Sequence, residues 1–268
     1  MNSIQDKLRR LENLLSDSPE YVIANSGGVD SMLLSYVAHN RTESNVRIAH
    51  AFSPAVPTDA IERIKYYANT HGWQLSILDA KEIDDHNYKS NPVNRCYFCK
   101  TNLYARIECE FKGLPIYSGT NIDDLSDYRP GLIAASENHV RHIYVEADIN
   151  KDDIYALASY LKLSDLESLP AQPCLASRIE TGIVIQSDDL HFINKVESAA
   201  KLKFSQLNTV RCRLTHSGVR FEIGEELVDT DKAALSDTVQ QLCSQYNRDF
   251  SGLQLYKKGS AFIHAQSL

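Results

Sequence analysis

Two adjacent glycines lie between serines in SGGVDS, residues 26–31, and Asp30 belongs to the same stretch. The apolar run Tyr21–Ala24 precedes it, and an amphipathic stretch follows at once. A strand that turns here directly into a helix directs several free backbone N–H groups outward, and such groups bind phosphate. Glycine lets a phosphate approach the backbone, and the Ser26 and Ser31 hydroxyls add donors. The alternative is a tight turn with a simple helix cap.

A second group of reactive residue types is a set of cysteines. Cys96 and Cys99 lie three residues apart in NPVNRCYFCK, and Cys174 lies in the proline-bounded segment LPAQPCLASRI. Free cysteine is commonly a buried packing residue, but the cationic neighbours Arg95 and Lys100 lower a thiol pKa and favour reactivity. A structural zinc site normally has four protein ligands, and no second C-x-x-C or Cys/His pair has suitable spacing. Three thiolates suit a 4Fe-4S cluster with one open iron.

Strand-like and helix-like segments alternate through the first two thirds of the chain, with Gly72 as a predicted helix stop. Apolar strands that alternate with helices favour an α/β fold, in which a parallel sheet carries helices on both faces. The predicted strands are Tyr21–Ala24, Val46–Phe52, Leu75–Leu78, Ile116–Ser118 and Ile143–Val145, and the predicted helices are Ser31–His39, Asp59–His71, Tyr97–Phe111 and Asp152–Leu161.

The pattern changes after about Glu180. A helix over Asp188–Leu202, two strands in TVRCRLTHSGVRFEI, a helix over Lys232–Tyr246 and a last strand, LQLYKK, predict a small α+β module. We therefore expect one domain over residues 1–180 and a second over residues 181–268.

Composition restricts the class of protein. The chain has 28 Lys and Arg against 35 Asp and Glu, which gives a net charge of −7. We therefore do not expect it to bind nucleic acid non-specifically. Neither an apolar signal-peptide core nor a membrane-length apolar segment is found in the sequence, so we expect a cytoplasmic protein without a membrane partner. In that compartment the six cysteines are not expected to form disulfides. We expect Cys109, Cys212 and Cys243 to be packing residues.

The SGGVDS stretch lacks the patterns of a Walker loop and of a dinucleotide-binding loop. It resembles the pyrophosphate loop of the PP-loop ATP pyrophosphatases, which cleave ATP between the α and β phosphates. The resemblance implies that a substrate oxygen is adenylylated and that pyrophosphate leaves. ATP is useful for this purpose because a carboxylate oxygen is a poor leaving group, whereas AMP departs readily from a mixed anhydride.

In this order and spacing, SGGVDS, NPVNRCYFCK, SGTNIDDLSDYRPG and PCLASRI resemble the LarE family of ATP-dependent sulfur transferases. The similarity runs from about Ile4 to Ile179, and VRCRLTHSGVRFEI fits more loosely. The resemblance implies synthesis of the nickel-pincer nucleotide cofactor of lactate racemase. A carboxylate of a pyridinium dicarboxylate mononucleotide, a small-molecule substrate, is adenylylated and converted to a thiocarboxylate.

The family uses two sulfur sources. Some members sacrifice one cysteine, at the position of Cys174, which becomes dehydroalanine. Others hold a 4Fe-4S cluster with three cysteines, at the positions of Cys96, Cys99 and Cys174, and the cluster relays sulfide from a donor. We favour the cluster type, because a sacrificial thiol alone has no need of the C-x-x-C.

The resemblance also suggests ligand-binding residues. The expected ATP contacts are Ser26, Gly27, Gly28, Asp30, Ser31, Gly119, Asp127, Arg129 and Arg178, with Thr120 and Asn121 beside Gly119 at the carboxyl edge of the sheet. Asp30 and Asp127 are candidate Mg²⁺ ligands, and Lys100 would stabilise charge at the α-phosphate. Surface ion pairs and helix caps remain the alternatives for these residues.

Arg211 and Arg213 match family arginines that bind substrate phosphate, in some members across a subunit boundary, which implies a homo-oligomer. For Glu197 a solvated helix face is favoured over a metal-ligand role.

Other functions remain open. A PP-loop enzyme that thiolates tRNA also combines this loop with cysteines, but the acidic charge and the lack of a basic RNA-binding appendage disfavour it. Ammonia transfer, as in NAD and GMP synthetases, has no need of a C-x-x-C. A non-enzymatic iron–sulfur or metal-binding protein is the third alternative.

Overall fold

In a computed structural model of the protein, residues 3–126 and 129–257 are described. They form two compact units. The first extends through Glu82 and includes Asn94–Gln172, and the second consists of Ile83–Val93 and the chain from Pro173 onwards. Within the described ranges, none of the helices combines the length and the apolar character that crossing a bilayer requires.

A parallel four-stranded sheet forms the centre of the first unit. Its strands are β1 (Glu20–Ala24), β2 (Asn45–Phe52), β3 (Gln74–Asp79) and β4 (Ile116–Ser118), in the order β3-β2-β1-β4. Ala24 is in register with Ala49 on one side and with Ser118 on the other. The segments that follow β1 and β4 therefore leave the same edge of the sheet, where ligands of open α/β folds bind.

Helices cover both faces of this sheet, which confirms the predicted α/β fold. Tyr21 and Ile23 of β1 pack into one buried cluster, and the alternating residues Val22 and Ala24 pack into another, as the pleat of a strand requires. The helices of this unit are α1 (Ile4–Ser16), α2 (Val29–Arg41), α3 (Thr58–His71), α5 (Arg95–Glu110), α6 (Pro130–Glu137), α7 (Ile143–Glu146), α8 (Lys151–Tyr160) and α9 (Ser164–Glu167).

Most predicted elements of this unit are confirmed to within a few residues. Gly72 ends α3 in the left-handed conformation, with φ 70°, and donates its N–H to Ala68 O. The predicted strand Ile143–Val145 is wrong, because this segment forms the short helix α7. Ile143 and Tyr144 are fully buried there, and a short buried apolar run has the same composition in a strand or a helix.

The second unit is a small α+β module, as predicted. It contains α4 (His86–Lys89), α10 (Ser187–Lys203), α11 (Asp229–Gln245) and the strands β5 (Val210–Thr215), β6 (Gly218–Ile223) and β7 (Phe250–Leu255). β5 and β6 pair antiparallel, and β6 and β7 pair parallel.

The packing role predicted for three cysteines is confirmed for two of them. Cys212 and Cys243 are buried in the second unit, whereas Cys109, on α5, is exposed, so its predicted packing role is wrong. Burial raises the pKa of the Cys243 thiol to about 11.

Candidate functional site

The SGGVDS loop connects β1 to α2. Gly28 is the N-cap residue of α2, and within the described chain no side chain caps the helix there. The first N–H groups of a helix have no intrahelical acceptor, so they are available to an anion. Gly27 has φ +80°, and a Cβ added to it would lie 2.9 Å from Ala60 Cβ. Glycine is therefore needed at this position for both conformation and space.

A buried side chain, Asn25, organises the interior of this loop. Its Oδ1 accepts the Gly27 N–H at 2.8 Å, and its Nδ2 donates to Ser35 Oγ at 2.8 Å. The Ser31 hydroxyl accepts the Ser26 N–H at 3.1 Å and lies 3.1 Å from Gly28 O. Ser31 thus stabilises the loop itself. The sequence analysis missed Asn25, although a polar residue at the end of an apolar strand was a visible signal.

The segment after β4 lies against the same loop. A Cβ on Gly119 would lie 2.8 Å from the Ser31 backbone nitrogen, so only glycine allows this close approach. Asn121 Nδ2 donates to Asp30 Oδ1 at 3.4 Å, and Thr120 Oγ1 lies 3.1 Å from Ser118 Oγ. The structure therefore brings residues 26–31 and 119–121 together at the carboxyl edge of the sheet.

Asp30 has a cationic partner that the sequence analysis missed. The Lys151 ammonium, at the start of α8, donates to both carboxylate oxygens of Asp30, at 2.7 and 2.8 Å. Tyr144 Oη also donates to the Asp30 carbonyl at 3.0 Å. The short helix α7, which supplies Tyr144, and the helix α8 thus both hold the beginning of α2.

Arg129, Lys100 and Asp127 were also predicted to lie at the ATP site. Arg129 is exposed and pairs with Asp124 at 2.8 Å. Lys100 lies on α5 with its ammonium 5.7 Å from the centroid of the Tyr104 ring. Asp127 lies outside the described residues.

The three candidate sulfur-site cysteines occupy two segments. Cys96 and Cys99 are half-buried near the start of α5, three residues apart and therefore on neighbouring positions of one helix surface. Cys174 is exposed and directly precedes a short 3₁₀ turn, Leu175–Arg178, in the second unit. Among the residues that the structure describes, no three His, Cys, Asp or Glu side chains are assembled to hold a metal ion.

A buried ion pair fixes the backbone at Cys174. Arg178 is only 2% exposed, and its guanidinium donates to both Glu197 carboxylate oxygens at 2.9 Å. The same guanidinium donates to Pro173 O at 2.6 Å and to Cys174 O at 3.1 Å. Burial disfavours the Arg178 charge, but the Glu197 carboxylate outweighs this effect and raises the Arg178 pKa. The solvated helix face predicted for Glu197 is wrong, because Glu197 is buried against this arginine.

Arg211 and Arg213 belong to the same charged interior of the second unit. Arg213 donates to Glu222 Oε2 at 2.8 Å and to Ser177 O at 2.9 Å. Arg211 donates to its neighbour's carbonyl, Val210 O, at 2.8 Å. Burial, followed by repulsion from Arg178, lowers the Arg211 pKa. Among the described residues of this unit, two of the three buried arginines, Arg178 and Arg213, are thus paired with the buried carboxylates of Glu197 and Glu222.

Sequence comparisons relate this chain to known proteins. The chain is 32% identical over 242 residues to an uncharacterised protein of Synechocystis, covering 88% of this chain and 89% of the relative. It is 28% identical over 277 residues to the pyridinium-3,5-bisthiocarboxylic acid mononucleotide synthase of Lactiplantibacillus plantarum, covering 99% and 98% of the two chains. The chain belongs to the LarE family.

The LarE-family similarity extends through both units, because the alignment with the L. plantarum synthase covers nearly the whole chain. A protein of Methanocaldococcus jannaschii is 28% identical over 197 residues, covering 71% of this chain and 74% of the relative. No family model matches the chain.

Proposed function

We propose that this protein is an ATP-dependent sulfur transferase of nickel-pincer nucleotide cofactor synthesis. It adenylylates a carboxylate of a pyridinium dicarboxylate mononucleotide, releases pyrophosphate and converts the acyl adenylate to a thiocarboxylate. The observation that carries this proposal is the SGGVDS loop, in which a glycine turn connects a strand to a helix start without a side-chain cap among the described residues. The full-length similarity to a synthase whose name specifies a bisthiocarboxylic acid mononucleotide supports the substrate class.

The loop performs the first half of this reaction. The N–H groups at the start of α2 bind the β and γ phosphates, and the helix dipole favours the negative charge of the departing pyrophosphate. The Asp30–Lys151 pair lies beside the start of α2 and provides a carboxylate and an ammonium at the phosphates. Lys100 is the proposed cation at the α-phosphate, and Arg129 is a further phosphate contact.

Mg²⁺ fits this site chemically, because a phosphate-bound Mg²⁺ usually takes only one or two protein carboxylates. Asp30 is the candidate ligand among the described residues. Its carboxylate is 28% exposed and is held by Lys151, so the ion has to share or displace that ammonium.

The cysteines perform the second half. Three thiols are a chemically suitable donor set for a 4Fe-4S cluster, which would supply sulfide through an iron without a protein ligand. Cys96 and Cys99 already lie one helical turn apart, and Arg178 holds the backbone at Cys174. An exposed Cys174 equally suits a sacrificial donor, so the sulfur source needs its own experiment.

We propose residues 181–268, which belong to the second unit, as the module that binds the nucleotide substrate and mediates homo-oligomerisation. Arg211 and Arg213 of this module are the proposed ligands of the substrate phosphate. Changing both arginines to Ala should raise the KM for the nucleotide far more than the KM for ATP.

The test of the activity is ATP–pyrophosphate exchange in the presence of the mononucleotide. Gly28→Val should abolish exchange while the fold persists, because a Cβ at Gly28 comes no closer than 3.6 Å to Ser26 Oγ but obstructs the approach of phosphate. Gly72→Ala is the control, because it replaces a glycine that ends α3 in the left-handed conformation and does not belong to the loop. Exchange at the wild-type rate in Gly28→Val refutes the loop assignment, and exchange that depends on tRNA would assign tRNA thiolation instead.

The test of the sulfur source combines anaerobic purification, an absorbance spectrum, an iron count and mass spectrometry after turnover. The cluster hypothesis predicts repeated turnover with added sulfide, and loss of iron in Cys96→Ala, Cys99→Ala and Cys174→Ala. Conversion of Cys174 to dehydroalanine lowers the protein mass by about 34 Da, the mass of H₂S lost from the thiol. That loss with a single turnover, and full activity in Cys96→Ala, would identify Cys174 as a sacrificial donor.

A further inference from the structure

Both backbone polar groups of Gly27 are held by side chains. Asn25 Oδ1 accepts the Gly27 N–H at 2.8 Å, which forms an Asx-turn. On the opposite side, Arg63 Nη1 donates to Gly27 O at 2.6 Å. We call Asn25, Gly27 and Arg63 the Gly27 clamp. Neither side chain belongs to SGGVDS, and Arg63 comes from α3, more than thirty residues later in the chain.

The clamp determines the direction of the next N–H group. The Gly27–Gly28 peptide is trans, so the Gly27 C=O and the Gly28 N–H point in opposite directions. Because Arg63 holds the carbonyl, the Gly28 N–H points away from Arg63. Glycine samples more backbone conformations than any other residue, and two adjacent glycines would leave this peptide free to rotate. The clamp removes that freedom.

The clamp side chains are themselves positioned. Asn25 is 3% exposed, and its Nδ2 donates to Ser35 Oγ at 2.8 Å. The carbonyl of Asn25 is 2.9 Å from His50 Nδ1 on β2. Arg63 Nη1 also lies 3.4 Å from Gln172 Oε1. A side chain held in this way loses little freedom when the ligand binds, which favours affinity.

We propose that Asn25 and Arg63 are positioning residues for ATP, and that they aim the Gly28 N–H at the pyrophosphate that leaves. The inference rests on the proposed function and assigns different roles to the two glycines of the loop. Gly27 contributes its conformation, because its own N–H is already bound to Asn25. Gly28 and the first N–H groups of α2 contact the phosphate, and Arg63 adds positive charge behind the Gly27 carbonyl.

The experiment compares two truncations, Asn25→Ala and Arg63→Met, with two conservative variants. Asn25→Ser retains a weaker turn of the same i to i+2 type, and Arg63→Lys retains one cationic donor. Arg106→Met is the matched control, because it makes the same truncation at a partly exposed arginine of α5 that pairs with Glu110. Isothermal titration calorimetry gives the Kd for MgATP, and pyrophosphate exchange gives KM values for both substrates.

We expect each truncation to weaken MgATP binding about tenfold, the effect of one lost hydrogen bond. The KM for ATP should rise similarly, the KM for the mononucleotide should not change, and the conservative variants should recover most of the loss. The double truncation should cost less than the product of the single effects, because both bonds hold one residue. The control should bind MgATP like the wild type.

Other results overturn the inference in distinguishable ways. Wild-type MgATP affinity in both truncations refutes the positioning role and leaves the proposed function standing. An equal rise in both KM values shows a general structural effect and also refutes it. If one truncation does not fold, wild-type MgATP affinity in the other refutes the role. If neither folds, Arg63→Gln, which is shorter than arginine and carries no charge, takes their place, and wild-type MgATP affinity in it refutes the role. A wild-type protein that binds no ATP refutes both proposals.

Discussion

Replacing Glu197 with Ala should strongly destabilise the second unit. The substitution leaves the Arg178 guanidinium buried without its carboxylate, and the Cys212 N–H loses Glu197 Oε1, its acceptor at 2.8 Å. Removing one partner of a buried ion pair costs about 3–5 kcal/mol, because the remaining charge stays out of water. A cost of about 4 kcal/mol corresponds to about a thousandfold change in the folding equilibrium.

Urea denaturation followed by circular dichroism measures this cost, and hydrogen–deuterium exchange of α10 and β5 localises it. Glu110→Ala is the control, because it removes an exposed carboxylate 3.2 Å from Arg106 and should change the free energy of unfolding by less than about 1 kcal/mol. If Glu197→Ala costs no more than this control, the buried pair does not stabilise the unit and the reasoning is refuted.

A double substitution separates stability from function. Arg178→Met with Glu197→Leu should restore part of the stability, because no buried charge is left without a partner, although the Cys212 N–H still lacks its acceptor. Sulfur transfer should remain impaired, since the Pro173 and Cys174 carbonyls lose the guanidinium that holds them. Recovery of full sulfur transfer in the double variant would show that Arg178 has no role in positioning Cys174.

Two further predictions follow from burial and close contact. In reduced, metal-free protein, a thiol reagent at pH 8 should label the exposed Cys109 and Cys174 quickly and the buried Cys212 and Cys243 only on unfolding. The reason is that burial raises the pKa of the Cys212 and Cys243 thiols and so keeps them unreactive. Peptide mass spectrometry measures the labelling, and rapid labelling of Cys243 in the native protein would contradict the prediction. Gly119→Ala should lower the free energy of unfolding by about 1–3 kcal/mol and raise the KM for ATP, because the new Cβ meets rigid backbone at the start of α2. A wild-type midpoint in thermal unfolding together with a wild-type KM for ATP would refute this prediction.

Local patterns were sufficient for most of the fold. The strands β1, β2, β3 and β4 were visible as short apolar runs, and the long helices between them as amphipathic stretches, because burial of one face imposes a period on the sequence. The prediction of a strand over Ile143–Val145 from this kind of pattern was wrong. Three consecutive apolar residues contain no period, and the burial of Ile143 and Tyr144 in the core is compatible with a helix.

The sequence alone determined the chemistry that is local in the chain. SGGVDS by itself predicts a glycine turn between a strand and a helix, because the strand, the glycines and the helix start are consecutive. The spacing of Cys96 and Cys99 likewise determines that their thiols occupy neighbouring positions on one helix surface.

Tertiary structure alone decided which distant residues serve these local features. Lys151 reaches Asp30, Arg63 reaches Gly27, and Glu197 neutralises Arg178, although each pair is separated by at least 19 residues. Such partners carry no periodic signal, since a single charged residue on a helix has the same local pattern whether it faces water or a buried counter-charge. The burial of Glu197 shows the physical reason: whether a carboxylate is solvated or paired depends on the strand that packs against its helix, which folding brings there.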